Sequence, residues 1–415
     1  MIHRVLHTSD WHIGRRLKEH DRNEEFRNFF DWLEKLIVSE KIDTLLVSGD
    51  IFDNTTPTVT AQKIYYSFLT ALAKSPCRHT VIISGNHDSP AFLDAPAELL
   101  SLSDIHVIGQ ACENPQDEVL ALKDSDGNTE LIVCAVPFLR DRDVRTAKTD
   151  DSFEEIERSL KVGIAGHYSE VFDCARKLQG DSEVPAAAMG HMFLDKSRVQ
   201  KDEGERSLYV GTAVKISSNI FPEWLAYTAL GHLHSPQSIG RENIRYSGSP
   251  IAMTFAEAEG EKSVSIVEFD GKSLAGVKEI PVPVFQELKH IEGTLPEIAD
   301  EIHKLGFRNE SIWLDVSYTG SEPMADLQER IHDYATNFRQ LEILAVHDEN
   351  THITGDEQKD PVTLDEISPE KMFEQLLKTK GISEDDTPVF MNMYREILIK
   401  AEEELKQEEI KEAAR

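Results

Sequence analysis

The first part of the chain alternates short apolar runs with segments whose apolar residues recur every three or four positions. Residues 2–7, 43–48 and 80–84 are apolar runs of a length typical of strands. Residues 24–39 and 58–74 show helical spacing between them. In the first helical segment the apolar stripe consists of Phe26, Phe29, Phe30, Leu33, Leu36 and Ile37. This alternation predicts right-handed crossovers and mainly parallel strand pairing.

Beyond about residue 130, strand-like runs become more frequent and helical patterns rarer. The predicted strands are residues 131–136, 185–190, 225–230, 243–247 and 263–269. One long helical pattern, residues 151–178, interrupts them. The pattern indicates a second sheet packed on the first. Residues 1–283 are therefore predicted to form an α/β domain, a two-sheet α-β-β-α sandwich.

Pro281 and Pro283 mark the start of a different pattern. Residues 284–348 are predicted to form a small α/β domain, with strands at 286–291, 311–318 and 341–347 and helices at 295–305 and 322–336. The polar and acidic residues 349–367 are predicted to be a linker. Residues 368–415 show two amphipathic helical patterns, which either pack on the body of the protein or bind a partner.

The charge of the chain argues against simple binding to nucleic acid. There are 75 acidic and 44 basic residues, giving a formal net charge of −31. Proteins usually hold DNA by neutralising its phosphates with Lys and Arg. A function on DNA would need divalent cations together with a local basic face or a partner subunit that shares the contact.

The cysteines and the N-terminal residues indicate where in the cell the protein is expected. Cys77, Cys112, Cys134 and Cys174 form no C-x-x-C pair, so neither a disulfide framework nor a thiolate zinc site is indicated. Residues 1–7 show no signal-peptide pattern, and no apolar stretch approaches the length of a membrane span. A cytoplasmic location and no membrane partner are the expectation.

Five short motifs rich in Asp, His and Asn follow predicted strands. They are Asp10-Trp11-His12, Gly49-Asp50-Ile51-Phe52-Asp53, Gly85-Asn86-His87-Asp88, Gly190-His191 and Gly231-His232-Leu233-His234. Loops at strand ends are the usual place for sites in α/β folds. In D-x-H and H-x-H, an extended backbone would direct both side chains to one side. The glycines let the backbone turn sharply and approach closely.

The donor set predicts a pair of cations. Oxygen and imidazole ligands without thiolate suit Mn, Fe, Zn or Mg. Two cations roughly 3.5–4 Å apart can clamp a phosphodiester and activate a water, and Asp50 is best placed to bridge them. His87 is predicted to be a catalytic acid rather than a ligand, with Asp53 holding its tautomer. Each motif alone is common by chance; their joint occurrence at strand ends carries the prediction.

Other residues of similar type receive a plainer interpretation. Gly166-His167 lies within the helical segment 151–178 and is predicted to be an ordinary helix residue. The remaining histidines outside any motif are interpreted as core or surface residues: His3, His7, His20, His79 and His106. Arg15, Arg16 and Lys18 follow the first motif and are either DNA-backbone contacts or a solvated basic turn.

These motifs resemble those of the calcineurin-like metallophosphoesterases, whose fold is a two-sheet sandwich flanked by helices. A closer resemblance, over nearly the whole chain, is to the SbcD-type nucleases, bacterial relatives of the double-strand-break repair nucleases. It is carried by His7-Thr8-Ser9-Asp10-Trp11-His12-Ile13-Gly14, Ser48-Gly49-Asp50-Ile51-Phe52-Asp53, Gly85-Asn86-His87-Asp88-Ser89, Ala229-Leu230-Gly231-His232-Leu233-His234 and Tyr246-Ser247-Gly248-Ser249-Pro250.

The resemblance implies a full set of site roles. One cation is expected on Asp10, His12, Asp50 and His234, and the other on Asp50, Asn86, His191 and His232. His87 matches the catalytic histidine and Asp53 its orienting acid. The implied activity is exonuclease on double-stranded DNA and endonuclease on single strands and hairpins, usually with Mn, although Mg is an alternative.

The resemblance also implies partners. These are an SbcC-like SMC ATPase bound by the C-terminal helices, and a homodimer within a heterotetramer. Residues 284–348 would be the small cap domain. Two other functions remain open at this point: a nucleotide phosphodiesterase or phosphatase of the same fold, and a non-catalytic scaffold.

Overall fold

The computed structural model describes residues 2–145, 153–198, 214–321, 324, 326–349 and 391. The strands in chain order are β1 (His3–Thr8), β2 (Arg16–Leu17), β3 (His20–Asp21), β4 (Thr44–Ser48), β5 (His79–Ile83), β6 (Ile105–Ile108), β7 (Val119–Lys123), β8 (Thr129–Ala135), β9 (Ala186–His191), β10 (Tyr227–Gly231), β11 (Gln237–Ile239), β12 (Arg241–Tyr246), β13 (Ser263–Asp270), β14 (Ser273–Pro281), β15 (Glu287–Gly293), β16 (Ile312–Tyr318) and β17 (Leu341–Asp348). The α-helices are α1 (Asn23–Ser39), α2 (Val59–Leu72), α3 (Pro90–Asp94), α4 (Ala97–Ser101), α5 (Asp141–Val144), α6 (Phe153–Gln179), α7 (Leu295–Leu305) and α8 (Leu327–Ala335).

Two six-stranded sheets form the body of the protein. The first has the order β14-β13-β1-β4-β5-β6, and the second β11-β12-β10-β9-β8-β7. The neighbours β1, β4, β5 and β6 pair in parallel, as the strand–helix alternation predicts. In the second sheet β8, β9, β10 and β12 are also parallel. The carboxyl ends of these strands therefore lie along common edges.

Three apolar layers explain the sandwich. Val5, Leu46 and Val81 of the first sheet pack against Val133 and Ala187 of the second, in one cluster between the sheets. Strand residues alternate between faces, so their neighbours contribute to the outer layers. One outer layer joins the first sheet to α1 and α2, and the other joins the second sheet to α6. The predicted α-β-β-α sandwich is confirmed.

A small three-stranded parallel sheet, β15-β16-β17, follows the sandwich. Its core is formed by residues of these strands together with α7 and α8. Leu288 of β15 packs with Leu17 and Phe255 of the sandwich. The ring of His20 lies 5.3 Å from that of Trp313, centre to centre. The small sheet thus rests on the segment that follows the first motif.

Several elements differ from the sequence-based expectation. The strands β2, β3, β6, β7, β11 and β14 were not predicted. β7 is a five-residue edge strand with mainly half-buried residues. β14 is largely exposed and shows no continuous apolar run. The helix predicted at 322–336 begins only at Leu327. The C-terminal helices predicted within 368–415, and all but residue 349 of the linker, lie outside the described residues apart from Met391. Among the described residues, no helix combines the length and apolarity required to cross a membrane.

Candidate metal centre

The five motifs meet where the two sheets present their carboxyl edges. Asp10 and His12 follow β1, Asp50 follows β4, and Asn86 follows β5. His191 is the last residue of β9 rather than a loop residue, and the segment from His232 to His234 follows β10. The ligands predicted from sequence are therefore brought to one place from both sheets.

One group of side chains contains Asp10, His12 and His234, whose ligand atoms lie within 4.8 Å of one another. The Nε2 atoms of His12 and His234 face each other at 3.2 Å. The Nδ1 of His234 lies 2.9 Å from Glu257 Oε1 and donates to that carboxylate. The Nε2 of His234 consequently offers a lone pair toward this group.

A second group is centred on Asn86. Its Oδ1 atom lies 3.0 Å from His191 Nε2 and 3.0 Å from His232 Nδ1. The Nδ1 of His191 donates to the main-chain carbonyl of Ser48 at 2.8 Å, which directs Nε2 toward Asn86. Asp10, Asp50 and His191 also lie within 4.8 Å of one another, so the second group adjoins the first.

Asp50 lies between the two groups. Its Oδ2 atom is 3.6 Å from His12 Nε2 and 3.3 Å from His191 Nε2. Its Oδ1 atom accepts the amide of His87 at 2.9 Å. A carboxylate in this position can contact a cation in either group, as predicted for a bridging ligand.

The donor spacing fits bound cations. Ligand atoms about 2.1 Å from an ion lie roughly 3.0–3.4 Å apart along the edges of its coordination polyhedron. The separations within both groups are close to this range. Burial alone would lower the pKa of His191, but the charges of Asp50 and Asp10 outweigh it and raise the pKa to about 9. For Asp10, by contrast, burial disfavours the charged carboxylate and raises the pKa to about 6. The carboxylate charges that raise the pKa of His191 also favour positive ions at this site.

The backbone of the ligand loops is unusual. Asp10, His12 and Asp50 have φ values of 52°, 48° and 49°, and His232 has φ of 105°. These conformations are rare for residues other than glycine and concentrate at functional sites. The D-x-H segment is therefore not extended, contrary to the expectation. Main-chain hydrogen bonds from Asp10 to Gly49 and from His12 to Asp50 hold the first two loops together instead.

Gly85 is needed because the loop that carries it lies very close to Asp50. A Cβ atom at Gly85 would collide with the carboxylate and the amide nitrogen of Asp50. Only glycine lets the third loop lie against the bridging residue.

Glu257 supports the first group and was not predicted. Its buried carboxylate holds His234, and its Oε2 pairs with Lys262 Nζ at 2.7 Å. Burial acts to raise its pKa, but the bonds to His234 and Lys262 hold the pKa of Glu257 well below its ordinary value. Because Glu257 lies 23 residues beyond His234 and in no motif, the sequence carried no signal for it.

Glu257→Gln is expected to weaken metal binding by about 10- to 100-fold, the usual cost of losing a carboxylate that orients a ligand histidine. The dissociation constant for Mn²⁺, measured by equilibrium dialysis, tests this. Glu259→Gln changes an exposed neighbour and is the matched control. Equal affinities in the two variants would contradict the supporting role.

Asp88 also supports the metal centre. It belongs to the third motif, but no role was predicted for it from the sequence. Its buried carboxylate accepts the amides of Ile51, Phe52 and Gly85 at 3.0, 2.9 and 2.8 Å. It thereby fastens the loop that carries Asp50 to the loop that carries His87. A carboxylate shared between two loops fixes their relative position more firmly than either loop does alone.

The structure corrects the role predicted for Asp53. His87 Nδ1 donates to the main-chain carbonyl of Asp53 at 2.9 Å, and not to its carboxylate. That carboxylate instead pairs with Arg15 at 3.0 Å. His87 is half-buried, and its ring lies 4.9 Å from that of His12, centre to centre. With Nδ1 engaged, the other ring nitrogen, Nε2, is the one left for a substrate.

The basic residues near the site differ in their surroundings. Arg15 is tied to Asp53, whereas Arg16 and Lys18 are exposed. Arg140, which was not predicted, is half-buried and donates from Nη2 to the main-chain carbonyl of Asp88 at 3.0 Å. Its Nη1 is buried and has no hydrogen-bond partner among the described residues. Its guanidinium also lies over the ring of Phe138, whose ring in turn contacts His191.

His167 is a helix residue, as predicted. It lies in α6, and its Nε2 is 2.9 Å from the buried carboxylate of Glu118, far along the chain from any of the five motifs.

Comparison with known proteins agrees with this geometry. The family described as calcineurin-like phosphoesterase matches residues 3–236, and the family described as type 5 capsule protein repressor C-terminal domain matches residues 284–380. The SbcD subunit of the SbcCD nuclease from Escherichia coli K12 is 32% identical over 399 residues, which cover 94% of this chain and 96% of the relative. The chain belongs to the SbcD family of calcineurin-like phosphoesterases.

Other members of the SbcD family are similarly distant in sequence. The protein from Rhodobacter capsulatus is 30% identical over 336 residues, covering 78% of this chain and 82% of the relative. That from Bacillus subtilis is 32% identical over 268 residues, covering 64% of this chain and 66% of the relative. The family resemblance drawn from the motifs is confirmed.

Proposed function

We propose that this chain is a metal-dependent DNA nuclease, the SbcD component of an SbcCD complex, with two cations sharing Asp50. The observation that carries the proposal is the position of Asp50 between two groups of donor atoms. The first cation would bind Asp10, His12, Asp50 and His234, and the second Asp50, Asn86, His191 and His232. The names of the relatives support the nuclease activity and the complex.

Such a pair of cations, when bound, supplies Lewis acidity toward a phosphodiester and an activated water. The residues of the chain position the donor atoms. Asp88 and the main-chain bonds between the first two loops keep the donors in place. Preorganised donors need no rearrangement as charge develops on the phosphate.

His87 is the proposed proton donor to the leaving oxygen. The carbonyl of Asp53 holds the Nδ1 proton, so a doubly protonated His87 would give up its Nε2 proton and remain as the neutral Nδ1–H tautomer. Asp53 thus orients His87 through its main chain, while its carboxylate holds Arg15. A positioned histidine of this kind contributes on the order of 10²- to 10⁴-fold to rate.

Arg140 would supply part of the positive charge that binding to DNA requires in a chain of net charge −31. The half-buried guanidinium of Arg140, held beside the loop of His87, is suited to a DNA phosphate. Arg140→Ala is expected to reduce kcat/KM on DNA by about tenfold, equivalent to ~1.4 kcal/mol, because one charge-assisted hydrogen bond is lost. Arg142→Ala, which removes an exposed arginine two residues away, is the control. Equal rates for the two variants would exclude Arg140 from the substrate contact.

The finer activity to be tested is exonuclease on double-stranded ends and endonuclease on single strands and hairpins, with Mn preferred to Mg. Purified full-length protein is incubated with end-labelled linear DNA, hairpin DNA and a small phosphodiester, with each metal in turn. Cleavage of DNA with Mn is expected. Turnover of the small ester with no effect on any DNA, with or without an SbcC-like partner, would favour a nucleotide phosphodiesterase instead.

The partner is proposed to be an SbcC-like SMC ATPase that binds residues 368–415, with two copies of this chain in a heterotetramer. A cytoplasmic location is part of the same proposal because it follows from the DNA substrate. Deleting residues 365–415 is expected to abolish co-purification with the partner while Mn content stays unchanged. A truncated protein that still co-purifies would refute the assignment of the C-terminal helices.

A further inference from the structure

A second cluster of imidazole and carboxylate groups lies at the other end of the first sheet. His79 begins β5, Asp104 directly precedes β6, and His106 lies within it. Each offers one ligand atom, and these atoms all lie within 4.8 Å of one another. At about 3.3 Å per residue, β5 separates this cluster from the metal-centre end by roughly 13 Å. None of the three residues has a functional role predicted from sequence.

The strand pairing holds the cluster together. β5 and β6 are parallel, with Thr80 opposite Ile105 and Val81 opposite His106. The amide of Thr80 donates to the carbonyl of Asp104 at 3.0 Å. Because backbone hydrogen bonds fix both segments, the three side chains meet without any loop having to reorganise.

The hydrogen bonds of His79 determine which of its nitrogens is free. Nε2 lies 2.9 Å from the carbonyl oxygen of Lys123 and 3.3 Å from Glu130 Oε1. Both atoms are acceptors, so the proton is on Nε2 and a lone pair is on Nδ1. A ring that donates from one nitrogen to a carbonyl and binds an ion through the other is the usual arrangement of metal-bound histidine.

That Nδ1 lone pair has no other use. His79 is 5% exposed, and its Nδ1 is buried with no hydrogen-bond partner in the part of the chain that the structure describes. A buried acceptor without a hydrogen-bond partner is destabilising, and a bound ion would give it a partner. The half-exposed His106 and the exposed Asp104 leave a path for an ion from solvent.

We propose that His79, Asp104 and His106 bind a further divalent cation of the zinc class, separate from the metal centre. Two imidazoles with one carboxylate suit Zn²⁺, Co²⁺ or Ni²⁺ better than Mn²⁺ or Mg²⁺, which favour oxygen ligands. Glu130 is held by Arg78 at 2.7 Å and supports His79 rather than binding the ion. The ion would link the edge strand β6 to β5 and stabilise the sandwich at this end.

Zinc bound per chain, measured by mass spectrometry after dialysis of full-length protein, tests the proposal. His106→Gln is expected to bind one zinc fewer than wild type, whereas Asp50→Ala keeps that zinc. His332→Gln, which changes an exposed histidine of α8, is the matched control. Nuclease activity of His106→Gln with Mn²⁺ is expected to be unchanged.

Equal zinc in His106→Gln and His332→Gln would overturn the proposal. Should His106→Gln lose its native circular dichroism, Asp104→Asn decides the question, because Asp104 is exposed. A folded Asp104→Asn protein with wild-type zinc would then count against the site. Since the readout is bound zinc, absence of nuclease activity would not affect the result.

Discussion

Asp50→Ala is expected to remove both cations of the metal centre and to reduce DNA cleavage by at least about 1000-fold, or ~4 kcal/mol of transition-state stabilisation. The reason is its position, because Oδ2 lies within 3.6 Å of a nitrogen in each group. Asp10 also lies within 4.8 Å of Asp50 and His191, but no distance places it as close to a nitrogen of each group as Asp50 Oδ2. Bound Mn per chain and the rate on linear DNA are the two measurements.

Two further variants make this result specific. Asp50→Asn keeps the shape of the side chain and removes its charge, and it is expected to lose Mn as well. Asp31→Ala removes an exposed aspartate of α1 and is expected to behave like wild type. Full Mn content in a folded Asp50→Ala protein would show that the two groups do not depend on a shared carboxylate.

His87→Ala is expected to keep both cations yet lose about 10²- to 10⁴-fold in kcat, with little change in KM. The side chain of His87 belongs to neither donor group, and its Nδ1 is bound to the Asp53 carbonyl. Single-turnover cleavage, together with Mn content, separates the chemical step from metal loss. Loss of Mn equal to that of Asp50→Ala would instead make His87 a ligand.

A control for His87→Ala is available on the protein surface. His332→Ala removes an exposed histidine and is expected to leave the rate unchanged. An Asp53→Asn variant adds a second check. Since the carbonyl rather than the carboxylate holds His87, this variant is expected to lose far less activity than His87→Ala.

The sandwich was predictable from the sequence because burial leaves periodic traces. The strand residues Leu45 and Leu46 face opposite apolar layers, so both positions are apolar and the run is visible. The exposed strand β14 leaves no such trace. The helix predicted at 295–305 has the observed bounds because a capping box begins it and a glycine follows its end.

For the metal centre, the sequence predicted which side chains meet but not the backbone conformation that brings them together. Residue type and position after a strand pointed to the side chains that meet, from Asp10 to His234. The left-handed backbone at Asp10 and His12 was not predictable, because it depends on hydrogen bonds with a loop about 40 positions away. Glu257 and Arg140 were missed for the same reason: each acquires its place only through tertiary contacts.

The proposed metal centre consists of a pair of cations that share Asp50. Electron paramagnetic resonance of the Mn²⁺-loaded full-length protein tests it most directly, because two Mn²⁺ ions joined by one carboxylate are magnetically coupled. We expect the spectrum of a coupled pair in wild type and its loss in Asp50→Asn. A wild-type spectrum of isolated Mn²⁺ ions at saturating metal would contradict the shared aspartate.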